Sequence, residues 1–127
     1  MNYLTAEQVL FIHARIIAET GGAHGVRDLG LLQSAVARPR VTFDNSDLYP
    51  DVFSKSGALL DSLINNHPFV DGNKRTGIAS AVLFLNINGL RCTASNQEME
   101  DFVMRVATHH SETDELSLWF KAHSRQE

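Results

Sequence analysis

Cysteine occurs once in this chain of 127 residues, at Cys92. A lone thiol cannot close an internal disulfide, and such sparing use fits a reducing compartment. Cys92 therefore reads as a small packed side chain rather than a nucleophile. Only three prolines are present, at 39, 50 and 68. All three fall between apolar periodic segments, where proline punctuates a helical chain. Basic residues are outnumbered, 11 Lys and Arg against 15 Asp and Glu, for a net charge of −4. A nucleic-acid binder is usually basic overall or carries a basic stripe, so no direct nucleic-acid partner is expected. No apolar run reaches membrane-spanning length, and the uncharged stretch Thr76 to Leu90 is too short and holds two asparagines. Glu7 and neighbouring polar residues interrupt any signal-like N-terminal run. The expected location is the cytoplasm, with no membrane partner. Internal repeats and low-complexity segments are also missing.

What is present is helical spacing on a scale that suits one domain. Thr5 and Gln8 have capping-box spacing; Val9, Ile12, His13, Ile16 and Ile17 follow on one face, and Gly21-Gly22 ends the run. His13 on that face reads as a core histidine with a hydrogen-bond partner. The run G-G-A-H-G lacks the G-K-[S/T] ending of a phosphate loop and reads as a turn. Asp28 caps a second helix carrying Leu31, Leu32, Ala35 and Val36, which stops near Arg38-Pro39. Residues 39–50 break the helical period, with strand-like Val41, Thr42 and Phe43 followed by turn-like D-N-S-D. A third helix is expected from about Asp51 to Asn66, with Val52, Phe53, Leu60, Leu63 and Ile64 inward and Lys55 and Asp61 toward solvent. Gly57 within it suggests close packing against the next helix.

The run Ile78, Ala79, Ala81, Val82, Leu83, Phe84, Leu85 is apolar on every side, which predicts a buried central helix over about 73–88. It ends at Asn88-Gly89. Ser95 and Glu98 open a further helix through Met99, Phe102, Val103 and Val106, and a last one follows Thr113, burying Leu116, Trp119 and Phe120. His109 and His110 are expected at the surface, and the tail beyond His123 is expected to fray. The fold class is all-α, about six helices around a buried central one, in a single domain spanning 1–127.

The chemistry concentrates just before the central helix, in N-N-H-P-F-V-D-G-N-K-R. A helix N-terminus offers free N–H groups and the positive end of the macrodipole, a natural anion site. Gly72 permits close approach of a phosphate to the backbone. Lys74 and Arg75 supply cations, and Arg75 can bond a phosphate in bidentate fashion. Asn73 offers an amide donor. Asp71 is a hard oxygen ligand suited to the Mg2+ that accompanies nucleotide phosphates. His67, before Pro68, is biased out of the helical region and has the chemistry of a general base. Phe69 is expected to point inward and anchor the loop. Asn65 and Asn66 either orient the imidazole or simply end the preceding helix. Taken singly, each residue has a plain structural explanation, as helix stop, turn or solvated charge. Five polar groups of phosphate-handling type in nine positions, leading into an apolar helix, favour a site.

The stretch H-P-F-V-D-G-N-K-R resembles the Fic-family motif H-P-F-x-[D/E]-G-N-[G/K]-R, and Lys74 with Thr76 resembles the death-on-curing (Doc) branch, the toxins of toxin–antitoxin pairs. L-T-A-E-Q-V-L-x-I-H, G-V-R-D-L-G-L-L-Q-S-A-V-A-R-P and L-Y-P-D are similar to that branch too, so the resemblance covers most of residues 3–110. It implies a Fic-type helical fold and a flap, here residues 39–50, whose Val41, Thr42 and Phe43 dock a segment of the protein substrate by strand addition. It also implies a reaction, with His67 as base, ATP phosphates over Gly72, Asn73, Lys74 and Arg75, and Mg2+ on Asp71. A cognate antitoxin is implied as partner, and elongation factor Tu as the target whose modification arrests translation.

Two transfers fit those parts. Attack on the γ-phosphate moves a phosphoryl group; attack on the α-phosphate moves AMP. Fic proteins that transfer AMP usually have glycine at the Lys74 position and a second arginine where Ile78 stands, so both departures favour the kinase. Pro68 and Gly72, by contrast, match the AMP-transferring proteins. A third possibility is a non-catalytic nucleotide-binding module, against which the intact His67 and Asp71 speak. Finally, Ser111 to Glu115 has the S-x-x-x-E spacing of a Fic inhibitory helix, although Leu116 stands where a small residue is expected and a capped helix start accounts for the same residues.

Overall fold

Side-chain caps set four of the helix starts. Thr5 with Gln8, Asp51 with Ser54 and Ser95 with Glu98 form reciprocal capping boxes, and Asp28 accepts the Leu31 N–H. In the computed structural model, which describes residues Met1–Glu127, six α-helices result. They are α1 (Ala6–Thr20), α2 (Leu29–Ala37), α3 (Val52–Asn65), α4 (Asn73–Ile87), α5 (Asn96–Thr108) and α6 (Thr113–Ala122). A 3₁₀ turn, Arg38–Arg40, follows α2. Two small antiparallel hairpins complete the chain, β1 (Thr42–Phe43) with β2 (Ser46–Asp47), and β3 (Leu90–Cys92) with β4 (Ser124–Gln126). The class is all-α, as the periodicity predicts. No helix is long and apolar enough to cross a membrane.

The most deeply buried helix is α3, not α4 with its uncharged run from Thr76 onward. Ten of the 14 residues of α3 are buried, among them Ser54, Lys55, Ser56 and Ser62, whose polarity hides the helix from a hydropathy reading. On one side of the α3–α4 pair lies an apolar cluster with Val9, Leu32, Leu59, Leu63, Phe69 and Phe84. On the other lies a second cluster with Leu60, Ile64, Leu85, Phe102, Leu116 and Phe120. The α4 helix buries Thr76, Gly77, Ser80, Ala81, Phe84 and Leu85, while Ile78, Ala79, Val82 and Leu83 stay partly exposed beside Met99. Gly77 brings α4 close to α3: a Cβ there would sit 3.1 Å from Ile64 and 3.3 Å from Leu60.

Three sequence expectations fail for tertiary reasons. Lys55 is not solvated: it is 1% exposed, and its Nζ donates to the Pro39 carbonyl (2.9 Å) and to Asp47 Oδ2 (3.1 Å). Gly57 packs against α6 rather than α4, since a Cβ there would come within 2.8 Å of Leu116 Cβ. The tail does not fray at His123; Ser124–Gln126 pairs with Leu90–Cys92, directly after the end of α4.

Candidate active site

The α3–α4 connection is held on three sides. His67 takes a left-handed backbone (φ 50°), a conformation uncommon outside glycine, though less so for asparagine, aspartate and histidine. The Pro68 carbonyl then accepts both the Arg27 and Asp28 N–H groups (2.8 and 3.0 Å), and the Val70 N–H donates to Gly25 (3.1 Å). The loop thus runs beside residues 25–28, which lead from the end of the G-G-A-H-G turn into α2. Phe69 is buried with its ring stacked 3.8 Å from that of His13. His13 is the core histidine its position predicts, and its Nε2–H donates to the Asp71 carbonyl (2.8 Å).

Asn73 closes the loop from the helix side. Its Oδ1 accepts the Phe69 N–H (2.9 Å) and its Nδ2 donates to the Phe69 carbonyl (3.0 Å), in a buried setting. The amide expected to face a phosphate thus serves the loop, through Oδ1 and one of its two Nδ2 hydrogens. What Asn73 leaves free is its backbone. Gly72, the N-cap of α4, has no capping side chain, and the first intrahelical bond is Thr76 N–H to Gly72. The N–H groups of Asn73, Lys74 and Arg75 therefore point out of the helix end without partners.

Asp71 and His67 face this helix end. The Asp71 carboxylate accepts from Ala23 N–H (3.0 Å, Oδ2) and Gly72 N–H (2.8 Å, Oδ1). Those two bonds, first Ala23 and then Gly72, hold its carboxyl below the usual carboxylate range despite partial desolvation. Gly22 makes room for the contact: a Cβ there would lie 2.6 Å from Asp71 Oδ2. His67 is exposed, and its Nδ1 lies 3.2 Å from the Asn65 carbonyl. A carbonyl only accepts, so Nδ1 carries a proton, which in the neutral ring leaves the lone pair on Nε2. It is the Asn65 backbone, and not its amide, that orients the imidazole; the amide bonds Asp61 (2.7 Å).

His67, Asp71, Gly72, Asn73 and Lys74 line one cavity of about 200 Å³. Lys74 is exposed, has no ion-pair partner, and also borders an adjoining groove of about 420 Å³ between α4 and α5, with Arg75, Ile78, Met99 and Val103. Arg75 is also a structural tie, because its Nη1 donates to Thr20 Oγ1 and to the Gly21 carbonyl (3.3 Å) and so fastens α4 to the end of α1. The structure does not bring Val41, Thr42 or Phe43 into either cavity. They form one side of the β1–β2 hairpin, turned by Asp44 and Asn45 at positive φ, with Phe43 74% exposed. Ser111–Glu115 spans the end of the α5–α6 connection and the first turn of α6, and none of it lines the cavities.

Asp71 meets the requirements of a magnesium ligand. It is anionic, partly exposed, and keeps lone pairs beyond the two it gives to N–H groups; Mg2+ needs only one or two carboxylates alongside phosphates and water. Two contributors escape a sequence reading. The Arg27 side chain and Gly22 are remote in sequence from the loop they hold, and only the G-V-R-D stretch for Arg27 and the glycine-rich turn for Gly22 hint at them.

The chain is 46% identical over 118 residues to the Toxin Doc of Mycolicibacterium smegmatis, covering 91% of this chain and 88% of the relative. It is 31% identical over 108 residues to the Protein kinase doc of Escherichia phage P1, covering 85% and 84%. The Fic/DOC family pattern matches residues 3–85. Motif, helical fold and relatives agree: this chain belongs to the Fic/DOC family.

Proposed function

We propose that this protein is the toxin of a toxin–antitoxin pair and transfers the γ-phosphoryl group of ATP to a hydroxyl of a protein target, elongation factor Tu being the first candidate. One observation carries the reading: an imidazole with a free Nε2 shares a small cavity with an uncapped helix N-terminus and an unpaired lysine. His67 accepts the proton of the target hydroxyl as its oxygen attacks phosphorus. The N–H groups of Asn73, Lys74 and Arg75, with the Lys74 ammonium, stabilise the phosphoryl oxygens. Asp71 would hold Mg2+, which neutralises phosphate charge when bound. The β1–β2 hairpin offers the outer edge of β1, at Thr42, to an extended segment of the target. Similarity to relatives called toxin and kinase supports the same reading, and with it a cognate antitoxin as partner.

AMP transfer is the second reading, favoured by Gly72. Its φ of 77° suits a residue without a side chain, and a Cβ there would meet Ile17 Cδ1 at 3.0 Å, so this position takes the glycine found in AMP-transferring proteins.

Intact mass spectrometry of elongation factor Tu after incubation with the protein, ATP and Mg2+ separates these. A gain of one phosphate is expected, absent with His67→Ala, whose exposed side chain leaves the fold intact. A gain of AMP would replace the kinase with the second reading. No transfer to elongation factor Tu or to any lysate protein, from ATP labelled at either phosphate, would overturn both.

A further inference from the structure

We infer that Arg27 is a positioning residue for His67, acting through the backbone that carries it. The inference rests on the proposed role of His67 as base. Arg27 lies 40 residues from His67, yet its Nε donates to the His67 carbonyl at 2.6 Å and its Nη2 donates to the Asn66 carbonyl at 2.7 Å. The planar guanidinium fork thus grips two successive carbonyls just past the end of α3. Those carbonyls lie at the negative end of the helix, where a cation is favoured and the last acceptors lack intrahelical partners. No glycine stands there to take the left-handed turn; His67 takes it, at φ 50°. A β-carbon in that region is disfavoured by about 1–2 kcal/mol, so the surroundings must hold it. The Arg27 fork does so from outside the loop.

The consequence falls on the imidazole. The Nδ1 to Asn65 carbonyl bond spans only two residues and depends on the backbone setting at Asn66 and His67, which are the two peptide groups Arg27 holds. If that setting relaxes, the ring loses the bond that keeps the proton on Nδ1 and the lone pair on Nε2. The loop itself stays docked, because the Arg27 and Asp28 backbone N–H groups bind the Pro68 carbonyl whatever side chain stands at 27. Lysine cannot replace the fork: an ammonium is a point charge and does not match two adjacent carbonyls in a plane.

The test compares wild type, Arg27→Gln and Arg27→Lys by steady-state transfer and by ¹⁵N NMR of the His67 ring. Misplacement of a reacting group by about 1 Å can cost about a hundredfold. Arg27→Gln is therefore expected to lower kcat about 10- to 100-fold, with KM for ATP changed by less than about twofold. Its His67 signals should move from a single Nδ1–H tautomer toward the averaged values of a free imidazole. Arg27→Lys should lie between, and decides the matter if the glutamine variant does not fold. Retained kcat together with an unchanged tautomer would overturn the inference. A wild-type protein that transfers nothing would sink the proposed activity instead, and the NMR comparison would still decide whether Arg27 sets the ring.

Discussion

Asp71 carries a pH dependence that can be worked out in sign. Two backbone N–H groups, from Ala23 and Gly72, bond its anion and lower its pKa in the folded state. A lowered folded value stabilises the protein above the unfolded value of about 3.9, and the contribution disappears as pH falls through the folded value. Asp71→Asn removes the anion and turns an amide against donors that want an acceptor. The wild type should therefore melt higher than Asp71→Asn at pH 7, and the gap should narrow from about pH 4 downward. Melting curves from pH 7 to pH 2.5 check this, and a gap independent of pH would refute the assignment. At this scale the sequence picked out residues that the fold brings together, but not always the contacts they make. His67, Asp71 and Lys74 share one cavity, as their dense spacing suggests. Asn73 and Arg75 instead close contacts with Phe69 and with the end of α1. Those partners depend on rotamers and on a neighbouring helix, which spacing along the chain does not encode.

The elements were legible wherever their signals are local. A capping box needs only residues three apart, so Thr5 with Gln8 and Ser95 with Glu98 mark helix starts directly. What the sequence concealed is long-range. Lys55 looks like a solvated residue on an amphipathic helix, but its partners are the Pro39 carbonyl before the β1–β2 hairpin and Asp47 within it. Its ammonium also lies 5.6 Å from the Tyr3 ring centroid. The hairpin is thereby tied to α3, and Arg38 adds a second tie by bonding Tyr49 (2.9 Å) just beyond it and Asp61 (2.8 Å) on α3. Lys55→Met keeps the stem and deletes the donor. It leaves the Pro39 carbonyl unpaired, at a cost of about 1–3 kcal/mol, and frees the hairpin. Limited proteolysis should cut faster between residues 41 and 48, and KM for the protein target should rise while KM for ATP holds. An unchanged cleavage rate would show that Lys55 only fills space.

At the scale of the molecule, α3 and α4 are shared property. Each contributes to the apolar cluster under α1 and α2 and to the cluster under α5 and α6. The loop with His67 and Asp71 joins these two helices, so neither half can unfold and leave the site intact. The end of the chain reinforces this, since β4 fastens to β3, directly after α4. Such an arrangement predicts one cooperative transition rather than two. The molecule supplies its own local probe: Trp119, the one tryptophan, stacks 3.9 Å from Phe102 in the second cluster. Far-UV circular dichroism reports all six helices. In urea the two signals should share one midpoint and one slope. Phe120→Ala, which empties a fully buried ring position in the second cluster, should cost about 3–5 kcal/mol and move both midpoints together. Separate midpoints in the variant would mean that the α1–α2 half holds the loop alone. Coincident ones would mean that packing beneath α6, which lines neither cavity, sets how much of the population has an assembled site.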